Sequence, residues 1–176
     1  MLPYIFVVFA VAIRFLPHPW QFTPVAAALL FFGARGSKRQ MWLPIALLAA
    51  SDLVLNRFVY HYAFGWDQFA VWAWYAAILW LGTGLRDRQK PVPVIGAALV
   101  SSISFFVVTN FMVWATGTMY PMNWAGLATC YESAVPFFRH TLEGDLLFTT
   151  AMFATPVVLH ALAGIAHREG DHTAAA

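Results

Sequence analysis

One aspartate stands inside an apolar run, Ala49-Ala50-Ser51-Asp52-Leu53. An ionisable group at membrane depth is costly unless it is paired or faces a polar cavity. Asp52 therefore requires a partner, and Arg14, at the end of the first apolar run, is the first candidate for a structural ion pair. Asn110, in Thr109-Asn110-Phe111, makes a similar demand that a hydrogen bond between helices would meet. Cys130 is the sole cysteine, which excludes an internal disulfide and a four-thiolate metal centre. It reads either as inert apolar packing or as a soft thiolate ligand to a metal-bearing cofactor, with Arg139 and His140 close in sequence to supply a positive field. The cluster His140-x-x-Glu143-x-Asp145 has the ligand types of a divalent-cation site, or else its acids complement the dipole at the start of a helix. His160, deep in the last apolar run, reads as a hydrogen-bonded core histidine or as an axial haem ligand. The chain has no nucleotide-binding glycine loop, no HExxH pair and no GxSxG elbow.

The elements that must position these residues follow from composition. Of 176 residues, 61% are hydrophobic and 10% charged, and the mean hydropathy is +0.66. A soluble globule would carry roughly 25% charged residues, so the bilayer is the expected solvent. Ten basic and eight acidic side chains, scattered along the chain, form no stripe that would track a nucleic-acid backbone. The length suits one bundle of membrane helices, each crossing needing about 20 residues. That bundle is expected over 1–168, with a polar cytoplasmic tail over 169–176.

Apolar runs punctuated by Pro, Gly and charge predict an all-α polytopic bundle of six transmembrane helices, at about 2–16, 22–34, 41–56, 68–85, 92–115 and 145–166, with five crossings the alternative. The second and third are short for a span. The first is expected to stay as helix one and not to be a secretory signal, because no Lys or Arg precedes it and Arg14 follows it. With six crossings, one face collects Arg35, Lys38, Arg39, Arg86, Arg88, Lys90 and Arg168, and the other Arg14, Arg57 and Arg139. The positive-inside rule then puts both termini in the cytoplasm.

The same sorting sends most groups capable of chemistry to the outer face. Arg14, His18, Thr23, Asp52, Asn110, Trp114, Tyr120, Tyr131, Arg139 and His140 are the candidate ligand-binding residues, with Cys130 a possible ligand to a cofactor metal. From Trp124, apolar residues recur at Leu127, Ala128, Tyr131, Ala134, Val135 and Phe138, opposite a polar face. This periodicity predicts an extra outer amphipathic helix between helices five and six, lying in the interface plane and bent or ended by Pro136. The eight tryptophans suit interfacial belts.

Arg14-Phe-Leu-Pro-His-Pro-Trp-Gln-Phe-Thr-Pro24, Ala26–Gly33, Ser51-Asp52, Thr109-Asn110-Phe111, Met119-Tyr120-Pro121, Cys130-Tyr131, Pro136-Phe137-Phe138 and Gly144-Asp145 together resemble an uncharacterised family of small bacterial six-helix membrane proteins. More distantly, the layout is similar to the substrate-binding S components of energy-coupling-factor vitamin transporters, in which a short second helix ending in a turn like Phe31-Phe32-Gly33 leads to a third ending in Asp, here Asp52. A solitary cobalamin transporter of that fold uses a cysteine as cobalt ligand, although Cys130 stands in a different segment. The resemblance implies a multi-pass protein of the bacterial inner membrane that captures a vitamin-like micronutrient or cofactor, a cobalt-containing one included, in an outward-facing pocket. It also implies a coupling or ATPase module as partner, although helix one lacks a clean Ala-x-x-x-Ala docking face. Two other readings stand beside it. One is an intramembrane enzyme acting on a lipid or isoprenoid through Glu132, His140, Glu143 and Asp145; the other is an accessory subunit of a larger membrane complex.

Overall fold

A computed structural model describes residues 1–17, 21–117 and 119–174, with side chains described as far as Ile165. Six α-helices follow one another, and the described residues contain no strand: α1 Leu2–Ile13, α2 Val25–Arg35, α3 Trp42–Leu55, α4 Asp67–Thr83, α5 Pro91–Thr116 and α6 Trp124–Ala174. Proline at the first helical turn starts α1 and α5, where its missing N–H breaks no bond. Gly36 and Gly117 end α2 and α5, their N–H groups donating back to Phe32 O and Val113 O. A π-helical turn, Asn56–Tyr60, prolongs α3 and stops at His61, which takes the left-handed conformation at φ 54°.

Lys38–Tyr60, Pro91–Thr116 and Trp124–Ile165 are long and apolar enough to cross a membrane. By contrast α1 and α2, with 12 and 11 residues, reach only about 16–18 Å at 1.5 Å per residue. The second is buried along all but its last residue. Every residue from Val25 to Ala34 is buried, so α2 is a central post around which α1, α4, α5 and α6 pack. An internal helix has no need to match the bilayer thickness, which accounts for its shortness. Large apolar side chains such as Ile5, Val8, Leu53, Val107, Val157 and Leu162 point outward from the other helices, an arrangement suited to lipid and unfavourable in water.

Contact between α2 and α4 is backbone on backbone. A Cβ at Gly33 would overlap the Leu79 carbonyl oxygen, and one at Gly82 would overlap the Leu30 carbonyl oxygen. Around this crossing Phe31 and Phe32 make edge-on contacts with Phe6, Phe153 and Tyr4.

The expected separate amphipathic helix is not present. Residues 124–138 are instead the first part of α6, which runs unbroken through Pro136 and Pro156. Tertiary packing explains the continuity: Phe138 lies 4.7 Å from Phe106 between ring centroids, and Tyr131 Oη donates to Val107 O of α5 at 2.7 Å. Docking along α5 on both sides of Pro136 offsets the one hydrogen bond its ring removes. Asn123 caps the helix, accepting from the Gly126 N–H at 2.8 Å. The helix also continues to Ala174, through most of the expected tail.

Basic loops gather at one end. Tyr4 donates to Gln40, Arg35 Nε to Gln89 Oε1 at 2.7 Å, and Arg86 Nη2 to Gly36 O at 2.9 Å. The start of α1, the α2–α3 connection and the α4–α5 connection are thereby one structural cap.

Substituting Gly33→Ala is expected to cost about 1–3 kcal/mol by overpacking the α2–α4 crossing. Gly96→Ala, where a Cβ meets nothing within 4 Å, should be neutral or stabilising by up to ~1 kcal/mol. Reversible unfolding by SDS titration in mixed micelles compares the two.

Candidate functional site: a polar cavity beside a buried ion pair

At the end opposite the basic cap, α1 finishes at Arg14 beside the last turns of α3. Arg14 Nη2 pairs with Asp52 Oδ1, and Arg14 Nη1 donates to Ser51 Oγ at 2.5 Å and more weakly to Leu48 O at 3.4 Å. The expected ion pair is therefore formed, with side-chain exposures of 15% and 5%. From α4, Trp72 Nε1 donates to Asp52 Oδ2 at 2.9 Å and Tyr75 Oη to Asp52 Oδ1 at 3.3 Å. Both carboxylate oxygens are thus satisfied by three side chains, one at the end of α1 and two on α4, the condition under which a buried charge is tolerated.

This network forms one wall of a cavity of about 270 Å³. Thr23, Val25 and Ala26 at the start of α2 line it, as do Trp74 and Tyr75 of α4, Phe105 of α5, and Thr141 and Asp145 of α6. Amides edge it as well: Asn56 Nδ2 donates to Gln68 Oε1 at 2.6 Å, and Gln21 holds a left-handed φ of 65°. A non-glycine residue kept in that region stores strain that its surroundings must impose. A second cavity of about 360 Å³ shares Gln21, Val71, Phe105 and Thr141 with the first, and Phe106, Asn110, Phe137 and Phe138 make its further walls.

The cavity contains a second buried carboxyl. Asp145 is 4% exposed and accepts from Ser102 Oγ at 2.7 Å. It lies on one stripe of α6 with Thr141 and Thr149, at four-residue spacing, and all three are buried. Because α6 begins at Trp124, Asp145 is in mid-helix and does not serve the start of a helix dipole.

The residues expected from sequence divide. Arg14, Thr23 and Asp52 line the first cavity and Asn110 the second. The Asn110 side chain donates to Phe106 O of its own helix at 2.8 Å, not across to another, while its backbone oxygen accepts from Cys130 Sγ at 3.4 Å. Trp114, Tyr120, Cys130, Tyr131, Arg139 and His140 line neither cavity. Trp114 Nε1 donates to Pro121 O at 3.0 Å, which ties the end of α5 to the turn containing half-buried Tyr120. Cys130 is buried against α5. Arg139 is exposed and pairs with Glu143 one turn on, at 2.8 Å, and His140 is half-buried. Two residues apart on a helix, Glu143 and Asp145 point in nearly opposite directions, so His140, Glu143 and Asp145 do not converge. No group of three His, Cys, Asp or Glu residues that would hold a metal exists among the described residues. His160 is exposed on α6, not in a core. His18 lies outside the described residues.

Sequence reasoning missed Gln68, Trp72 and Tyr75 as site residues. Their spacing of four and three residues places them on one face of α4, a polar stripe hidden by the high hydropathy of the helix. Trp72 and Trp74 belong to this interior, whereas Trp42, Trp66, Trp80 and Trp124 are exposed as a belt requires.

An all-α chain with three helices able to cross a bilayer, lipid-suited outer faces and buried polar groups around an internal cavity has the make-up of a membrane protein. It belongs to DUF6580, a family of unknown function whose profile matches residues 1–165. No curated protein and no solved structure matches the chain.

Arg14→Met leaves Asp52 buried without its countercharge and is expected to cost about 3–5 kcal/mol. Arg14→Met combined with Asp52→Asn should be more stable than Arg14→Met alone. A double-mutant cycle by the same SDS titration measures the coupling, and strictly additive effects would contradict the pairing.

Proposed function

We propose that the protein is a multi-pass membrane protein of the bacterial inner membrane that captures a compact micronutrient or cofactor in the cavity beside the Arg14–Asp52 pair. The observation that carries this reading is the cavity itself. Buried polar groups within a membrane domain are costly and mark substrate paths, and here they converge on a partly open space of about 270 Å³, contiguous with one of about 360 Å³. Aromatic walls with a few polar groups are the usual composition of small-ligand pockets. A corrinoid is several times larger than the first cavity, and Cys130 lines neither, so the proposed ligand is compact and not cobalt-ligated by this chain.

The topology proposed is six crossings in the manner of an S component, with α2 shielded by its neighbours and both termini cytoplasmic. The basic cap formed by residues 35–40 and 86–90 supports this orientation through the positive-inside rule, and the cavity then opens outward. The exposed apolar faces take the bilayer as partner, and a coupling or ATPase module remains part of the proposal.

Two measurements test the reading. Native mass spectrometry of the protein purified in mild detergent should find a retained small molecule, or a thermal-shift screen of vitamins and cofactors should find a stabilising one. A ligand at 100 times its Kd stabilises by about 2.7 kcal/mol, a shift readily seen. The absence of both would overturn ligand capture. For topology, Tyr62→Cys in a Cys130→Ala background should react with an impermeant maleimide in intact spheroplasts, and Ser37→Cys only after permeabilisation; the reverse pattern refutes the proposed orientation.

A further inference from the structure

The two carboxyls of the cavity differ in what balances them. Asp52 has a guanidinium and two further donors. Asp145 has the Ser102 hydroxyl, and no cation pairs with it among the described residues. The cavity wall carries one guanidinium, already committed to Asp52, Ser51 and Leu48, against two carboxylates. Ionised, a carboxylate that is 4% exposed with a single neutral donor would be far from satisfied, so a charge on Asp145 calls for a cation beside it. It lines a cavity that also presents the faces or edges of Trp74 and Phe105, whose rings lie 4.9 Å apart. Aromatic surface beside an unbalanced carboxylate is the environment that attracts a compact cation. The adjoining second cavity has no charged side chain in its lining, and Phe106, Phe137 and Phe138 make much of its wall.

From this arrangement we infer that the captured molecule is a cationic amphiphile of small size. Its ammonium or protonated nitrogen-heterocycle head sits against Asp145 in the first cavity, and its apolar body extends into the second. The inference rests on the capture reading and specifies the ligand's chemistry. Charge is completed on binding: one cation meets one carboxylate, and the Arg14–Asp52 pair stays intact in the same wall lining. The Ser102 hydroxyl, 2.7 Å from Oδ2 and shared with Ala98 O at 3.1 Å, orients the Asp145 side chain and leaves Oδ1 for the ligand.

Three probes of one skeleton separate charge from shape: 4-phenylbutylammonium, 4-phenylbutan-1-ol and 4-phenylbutyrate. Their binding is measured to the full chain in zwitterionic nanodiscs, with empty nanodiscs as the blank for partition into lipid. The ammonium is expected to bind about tenfold or more tighter than the alcohol, as a charge-assisted hydrogen bond would provide, and the carboxylate least. Asp145→Asn should abolish the preference for the ammonium over the alcohol. The wild-type comparison needs no variant, so a misfolded Asp145→Asn would not blunt the test. Equal or tighter binding of the alcohol or the acid overturns the cation assignment and leaves ligand capture standing. Failure of all three probes to bind overturns the assignment as well; only if no retained or stabilising molecule is found either does capture itself fall.

Discussion

Asp52 is a charge placed near the end of an apolar helix, and the bundle is arranged so that this charge is never alone. Arg14 reaches it from the end of α1, Trp72 and Tyr75 reach it from α4, and Ser51 on the preceding position holds the guanidinium in register. Three helices distant in sequence are therefore drawn to one point. Removing a buried charge from water is unfavourable on any account, and its attraction for a partner offsets that cost only when the remaining lone pairs are filled. Here they are filled from α1 and α4, so the ends of α1, α3 and α4 cannot drift apart without exposing an unpaired group. The cavity is the space these ends enclose with α2, α5 and α6.

The other end obeys a different constraint. Along α2 no polar side chain intervenes between Val25 and Ala34, and Gly33 meets Gly82 with no room for a Cβ on either. Close backbone approach gives van der Waals contact over the whole crossing, the chief source of helix association where lipid competes equally for apolar side chains. Tight packing at the basic end and polar pairing at the opposite end thus coexist in one bundle. A cavity is affordable only at the second, where groups exist to line it.

Asp145 contrasts with Asp52 within that cavity. Both are buried carboxyls on apolar helices, but one is surrounded by three donors from α1 and α4 and the other has a serine hydroxyl from a neighbouring helix. A structural role accounts for the first. The second is a carboxyl without a countercharge, lining a space flanked by aromatic rings, which is a property of a receptor site more than of a scaffold.

Much of this was legible without coordinates. Low charge and high hydropathy state the solvent; Pro3, Pro91, Gly36 and Gly117 mark helix ends; and Asp52 in its apolar run calls for a partner that Arg14 provides. These are local matters of composition, backbone geometry and the cost of an isolated charge, and they act wherever the residues stand. The length of α6 was not legible, because Pro136 signals a break that docking on α5 overrides. Nor was the division of the candidate ligand-binding residues into four that line cavities and others that do not, since residues two apart in sequence, such as Glu143 and Asp145, leave a helix in nearly opposite directions. Gln68, Trp72 and Tyr75 stood inside an apolar helix with nothing but their spacing to distinguish them, and Asp145 looked like a helix-start acid until α6 was seen to begin at Trp124. Sequence states which groups must be satisfied; which neighbour satisfies each, and which is left to meet a ligand, depends on helix rotation and crossing, a property of packing among all six helices at once.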